Sequence, residues 1–213
     1  MTVSRTLRIA ATTATVLALA ACGSGNDDAP TTSAENPAPD LRSAPAELAW
    51  REVAGVSVPT SRVDGPDTRT SVNRSGYSQT PQGAVLAAIN GQTALAVADD
   101  RAWPEVVNTV TAPGPGRDEF AAARIAVTVS GSVPAAAAPK FVGFEVTDYQ
   151  SDPLSAAVSV AQTIGSDNQI YSYPVALQWI GDDWRIVLPT AEENIDAVEL
   201  DSLDGYTTFE RTA

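Results

Sequence analysis

Residues 76–110 read GYSQTPQGAVLAAINGQTALAVADDRAWPEVVNTV, and the fold turns on this stretch. Thr80 is a suitable N-cap, because its hydroxyl can accept a bond from a free amide of the first helical turn. Pro81 then falls at the first helical position, where a missing N–H costs nothing. Val85, Leu86, Ile89, Thr93 and Val97 follow at steps of three and four and form one apolar stripe. Ala84, Ala87, Ala88, Ala94, Ala96 and Ala98 keep the remaining surface thin, so another element can approach closely. Gly91 weakens the middle by about 1 kcal/mol relative to alanine, for which a close packing contact and tolerated drift are both adequate explanations. Asp99 and Asp100 end the pattern and offer a cap for a second short helix carrying Trp103, Val106, Val107 and Val110.

Downstream, Pro113-Gly114-Pro115-Gly116 is a loop. It lacks the G-x-x-x-x-G-K-[ST] pattern of a phosphate cradle. Arg117, Asp118 and Glu119 open a third helical piece, with acids placed in its first turn. Residues 130–139, SGSVPAAAAP, read as a linker to a half made of strands. Residues 141–149, 154–164 and 170–180 have the β-branched and aromatic content of strands. Pro174 calls for an edge segment or a bulge in the third of these. Gly181-Asp182-Asp183 reads as a tight hairpin, with Trp184, Ile186 and Leu188 returning on a fourth strand. The expected architecture is α+β, with three N-terminal helices on a curved antiparallel sheet of about four strands.

Upstream, Leu48, Trp50, Val53, Val56 and Val58 predict a short strand or docked arm, followed by turn-forming residues up to Gly76. Residues 23–46 are Gly, Ser, Asn, Asp, Pro, Thr and Ala with almost nothing large and apolar, the composition of a disordered tether. As a coil such a tether spans roughly 25–30 Å, and fully stretched about 80 Å. Residues 1–21 carry Arg5 and Arg8 and then an apolar run too short to span a bilayer comfortably. The expected organisation is a signal peptide over 1–21, a tether over 22–46, one domain over 47–190 and an acidic tail over 191–213. Within that tail Tyr206 and Phe209 are the only large anchors.

The junction Leu19-Ala20-Ala21-Cys22-Gly23 resembles the lipobox of bacterial lipoproteins. That resemblance implies cleavage before Cys22 and acylation of its thiol, an anchor on the extracytoplasmic face of the cell membrane. A second resemblance lies in V-P-T-S-R-x-D-G-P, in G-Y-S-x-T-P-Q-G-A-V-L-A-A, in D-D-x-x-W and in P-G-P-G-R-D. These runs are similar to a group of actinobacterial envelope proteins often associated with integrative and conjugative elements, and the similarity covers roughly residues 50–190. It implies a context of DNA transfer machinery and no particular chemistry. The closing x-W-x-G-D-D-W-R-I-x-L run resembles the cone-shaped nuclear-transport-factor-like, or cystatin-like, fold.

Composition narrows the function. The chain has 13 basic and 26 acidic residues, no histidine and one cysteine. This balance opposes nucleic acid, whose phosphates need Lys and Arg against them, and electrostatic docking on anionic lipid. Losing Arg5 and Arg8 with a signal peptide leaves 11 − 26 = −15. Without histidine the usual general base and the commonest metal ligand are missing, and acylation would consume the only thiol. Asp99-Asp100, Asp182-Asp183 and Glu192-Glu193 are paired acids, but the first two pairs sit where caps and turns want Asp. Asp201 and Asp204 lack the spacing of a calcium loop. No catalytic residue, metal site or cofactor is expected. Trp103, Trp179 and Trp184 are candidates for a pocket lining or for core. The expected role is a non-catalytic accessory or scaffold lipoprotein of a conjugative, type IV secretion-like envelope complex. The expected partners are membrane lipid through Cys22 and other envelope proteins, not nucleic acid. The alternative is a small-molecule binder or carboxylate-dependent enzyme using the cone cavity. A weaker third option is an exclusion lipoprotein that blocks incoming elements.

Overall fold

The computed structural model describes residues 38–70, 72–165, 168–193 and 195–210. Cys22 and the expected signal peptide lie outside these. Residues 38–213 form one compact unit. Its elements are β1 (Leu48–Val53), β2 (Val56–Ser61), β3 (Thr68–Arg69), β4 (Arg74–Ser75), α1 (Pro81–Val97), α2 (Trp103–Val110) and α3 (Pro115–Arg124). There follow β5 (Pro139–Ser151), β6 (Leu154–Ile164), β7 (Ile170–Ile180), β8 (Asp183–Val187), β9 (Val198–Leu200) and β10 (Thr207–Thr208).

This overturns the expectation of three N-terminal helices on a sheet of about four strands in a nuclear-transport-factor-like cone. Two antiparallel hairpins precede the helices, and the main sheet has six strands in the order β10-β5-β6-β7-β8, with β9 also on β7. The physical cause lies partly in the β1–β2 turn. Val53 pairs with Val56 across a two-residue loop, and both loop residues, Ala54 and Gly55, have positive φ of 48° and 88°. That is the handedness a two-residue hairpin requires, carried at one position by an alanine that does not advertise it.

The hairpin covers one side of α1 and the main sheet covers another. Thr80 caps the helix, accepting from the Gly83 amide at 3.0 Å, and Asp64 supports the cap by accepting from the Thr80 hydroxyl at 3.0 Å. The apolar stripe is buried, and so is every alanine of the helix except exposed Ala96: Ala84, Val85, Leu86, Ala88 and Ile89 are fully covered. Residues 83–91 are buried on every face and make this part of the helix a core element, while Gln92, Leu95 and Ala96 leave its C-terminal half partly open. Val56 and Val58 of the hairpin and Phe144, Val158, Val160, Leu177 and Trp184 of the sheet complete the core. At Gly91 a Cβ would stand 2.7 Å from the Ile186 Cδ1, so this glycine is a close contact between α1 and β8.

Pro174 sits in an opening on the outer edge of β7. β9 pairs with β7 over 170–172 and β8 over 176–180, so the residues between them need donate no ladder bond. Beyond residue 190, β10 pairs with β5 and Phe209 inserts against Phe144 and Trp50, ring centroids 5.3 and 5.8 Å apart. Residues 40–46 lie on the domain as well. Gln82 donates to the carbonyls of Asp40 and Ser43 at 2.9 and 3.0 Å, and Ser61 donates to the Ala46 carbonyl.

Candidate functional site

The paired acids resolve into supports. Asp183 is 5 % exposed and accepts from the amides of Gly76, Tyr77 and Trp184 at 2.9, 3.1 and 2.9 Å. Burial pushes its carboxyl above the ordinary value, against the pull of those amides. Asp99 accepts from the amides of Arg101 and Ala102 ahead of α2. Asp100 pairs with Arg124 at 3.0 Å and accepts from the Val129 amide at 3.2 Å; that amide is the main reason its carboxyl lies below the ordinary value. Asp64 is buried and accepts from Ser78 Oγ at 2.8 Å and from the Ala46 amide at 3.3 Å. The Ser61–Pro66 loop is thereby tied to the start of α1. Among the described residues no group of three or more metal-ligating side chains converges.

The three tryptophans do not share a pocket. Trp179 and Trp184 meet edge to face at 5.5 Å, and the Trp184 Nε1 donates to the Ser78 carbonyl at 2.8 Å. Trp103 belongs to a separate cluster with Ala94, Ala98, Val106 and Val110, its ring 5.7 Å from the Arg124 guanidinium.

An open concavity lies elsewhere. The C-terminal half of α1, Phe120 of α3, and the start of β5 with the facing parts of β6 and β7 enclose a cleft of about 370 Å³. Leu95, Ala96, Phe120, Pro139 and Phe141 make its apolar walls, and Gln92, Thr93, Gln162 and Tyr173 supply its polar groups. No carboxylate is among these residues. Phe120 also lines two neighbouring hollows of about 300 and 260 Å³, so the surface is one undulating groove around a single aromatic ring. Ile125, 76 % exposed, and Val127 continue the apolar character beyond α3. Helix α3 runs Pro115–Arg124, which leaves these two side chains beyond its end in solvent.

Sequence reasoning did not find this groove. Its walls come from five elements, α1, α3, β5, β6 and β7, that are distant in the chain. The one available signal was Phe120, a large ring in an otherwise alanine-rich helix.

The fold and groove define a strand-rich domain built on a largely buried helix, with an open apolar cleft on its surface. The chain belongs to the family of the domain of unknown function DUF8175, whose profile matches residues 10–208. No curated protein and no solved structure matches it.

Proposed function

We propose that this protein is a lipid-anchored extracytoplasmic lipoprotein whose domain is a non-catalytic binding module, an accessory part of an envelope complex of the conjugative type. The groove around Phe120 carries the reading. Its central cleft is open and mostly apolar, and the polar groups there are the Gln92 and Gln162 amides, the Thr93 hydroxyl and the Tyr173 phenol, which can orient a bound segment. Its occupant is an apolar segment of an envelope protein flanked by basic residues, because a mature chain of charge −15 would attract cations around the contact. The lipobox-like junction at Cys22 would hold the module at the membrane where such partners lie.

Two measurements test it. Cys22→Ser is expected to abolish incorporation of labelled palmitate and to release the protein from the membrane fraction; continued labelling would remove the anchor from the proposal. For the groove, a photo-crosslinking residue placed at Ala96 or Ile125 should capture one envelope protein in cells, and the same residue at exposed Asp152 should not. Phe120→Asp should then weaken binding of that purified partner about 30-fold, the effect of losing a central aromatic anchor worth about 2 kcal/mol, with the Tm nearly unchanged. Identical adducts from all three positions would overturn the groove assignment. A small apolar ligand bound in the cleft with no protein adduct would favour the alternative reading, whose support is a cleft volume in the range of ligand sites.

A further inference from the structure

Arg74 is a cation in an unexpected place. It is 7 % exposed, and its Nε has no hydrogen-bond partner among the described residues. Arg74 is in neither of the ion pairs Arg62–Glu47 and Arg124–Asp100 found among those residues. The hairpin register places Arg69 directly opposite it, an arrangement of like charges that destabilises a strand pair. Burial lowers the affinity of Arg74 for its proton, and the repulsion of Arg69 and Arg51 adds to this. The side chain nevertheless stays charged at any physiological pH. A chain with twice as many acids as bases thus keeps an uncompensated positive centre under cover.

The second observation is a matching hollow. Arg74, Tyr77 and Thr109 line a partly open hollow of about 10 Å³, with Ala87, Gly91, Val110 and Trp184 as the rest of its wall. The Tyr77 hydroxyl is also buried without a partner. The two residues that carry these unmatched donors thus line the same small space. Its size is that of one small occupant, too small for phosphate, sulfate or carboxylate groups. Charge favours an anion over water, because a covered cation left unpaired is costly. The apolar remainder of the wall favours a weakly hydrated ion over fluoride or hydroxide.

We propose that the cavity between β4, α1, α2 and β8 is a chloride site, with Arg74 Nε–H and Tyr77 O–H as its donors. The ion neutralises Arg74, relieves its opposition to Arg69, and ties the β3–β4 hairpin to the central helix and the sheet. This inference is independent of what the Phe120 groove binds.

The test uses the full domain in sodium bromide. Crystals grown in bromide should show an anomalous peak in the cavity, within hydrogen-bonding distance of both donors. In solution, chloride and bromide should raise the Tm saturably relative to gluconate at equal ionic strength. The rise should be roughly 5–10 °C at a hundredfold excess over Kd. Tyr77→Phe removes one donor without changing shape and should shift the half-saturation concentration upward at least tenfold. Arg74→Met should abolish the halide effect, and the tyrosine variant carries the test if the arginine variant does not fold. A cavity that refines as water with no bromide signal would overturn the proposal. So would a halide effect unchanged in Tyr77→Phe.

Discussion

Asp183→Ala is expected to destabilise the domain by about 3–5 kcal/mol, close to the cost of breaking a buried network, and to lower the Tm by roughly 10 °C. Three backbone amides converge on this one carboxylate, and two of them belong to the Gly76–Tyr77 segment, more than a hundred residues away in the chain. Alanine leaves buried donors with nothing to accept from them, and water reaches the site poorly because the residue is almost fully covered. The start of α1 would then lose its tie to the β7–β8 hairpin. Chemical denaturation checks this. A loss under about 1 kcal/mol would show that the amides find other acceptors.

The same residue makes a pH prediction whose sign can be derived. Burial raises the Asp183 pKa in the folded state. A raised carboxyl contributes stability that is present below its unfolded value, about 3.9, and lost as pH climbs through its folded value. Asp183→Asn removes that titration. It keeps an acceptor for the Tyr77 and Trp184 amides but turns an N–H₂ toward the Gly76 amide. The deficit of the asparagine variant should therefore be largest in acid and shrink as pH rises. Asp40 is lowered chiefly by the Ser43 hydroxyl and Asp100 chiefly by the Val129 amide. Both are present in either protein and cancel in the comparison. A deficit that grows with pH would mean that the three amides outweigh burial.

What could be read in advance followed the strength of local signals. The Thr80-Pro81 start of α1, the strand runs at 141–149, 154–164 and 170–180, and the Gly181-Asp182 turn all carry their chemistry within a few residues, and the structure has elements at each place. The β1–β2 hairpin was harder, since its turn depends on Ala54 at positive φ, which composition does not suggest. β9 and β10 have three and two residues, too short for any period to show. Counting strands from periodicity therefore undercounted the sheet and led to the wrong architecture. The groove was invisible for another reason: Phe120, Leu95, Phe141 and Tyr173 meet only after folding. Arg74 was equally silent. A sequence shows that an arginine is present, not that it is covered and unpaired.

The sharpest lesson concerns the face of α1 that alanines occupy, and it yields the second large effect. Leu86→Ala should cost about 3–5 kcal/mol, because it removes a fully buried side chain from a packed interior. A one-striped surface helix would predict that much, and would also predict tolerance on its alanine face. The structure predicts the opposite for Ala88→Leu. Ala88 is completely covered, so three added carbons have nowhere to go, and overpacking should cost about 1–3 kcal/mol or more. Enlarging and shrinking the helix at neighbouring positions should therefore both destabilise, which is the signature of a helix enclosed on both its stripe and its alanine face over residues 83–91. A neutral or stabilising Ala88→Leu would return α1 to the surface of the fold. In that case the hairpin of β1 and β2 would not be packed where its buried Val53, Val56 and Val58 place it.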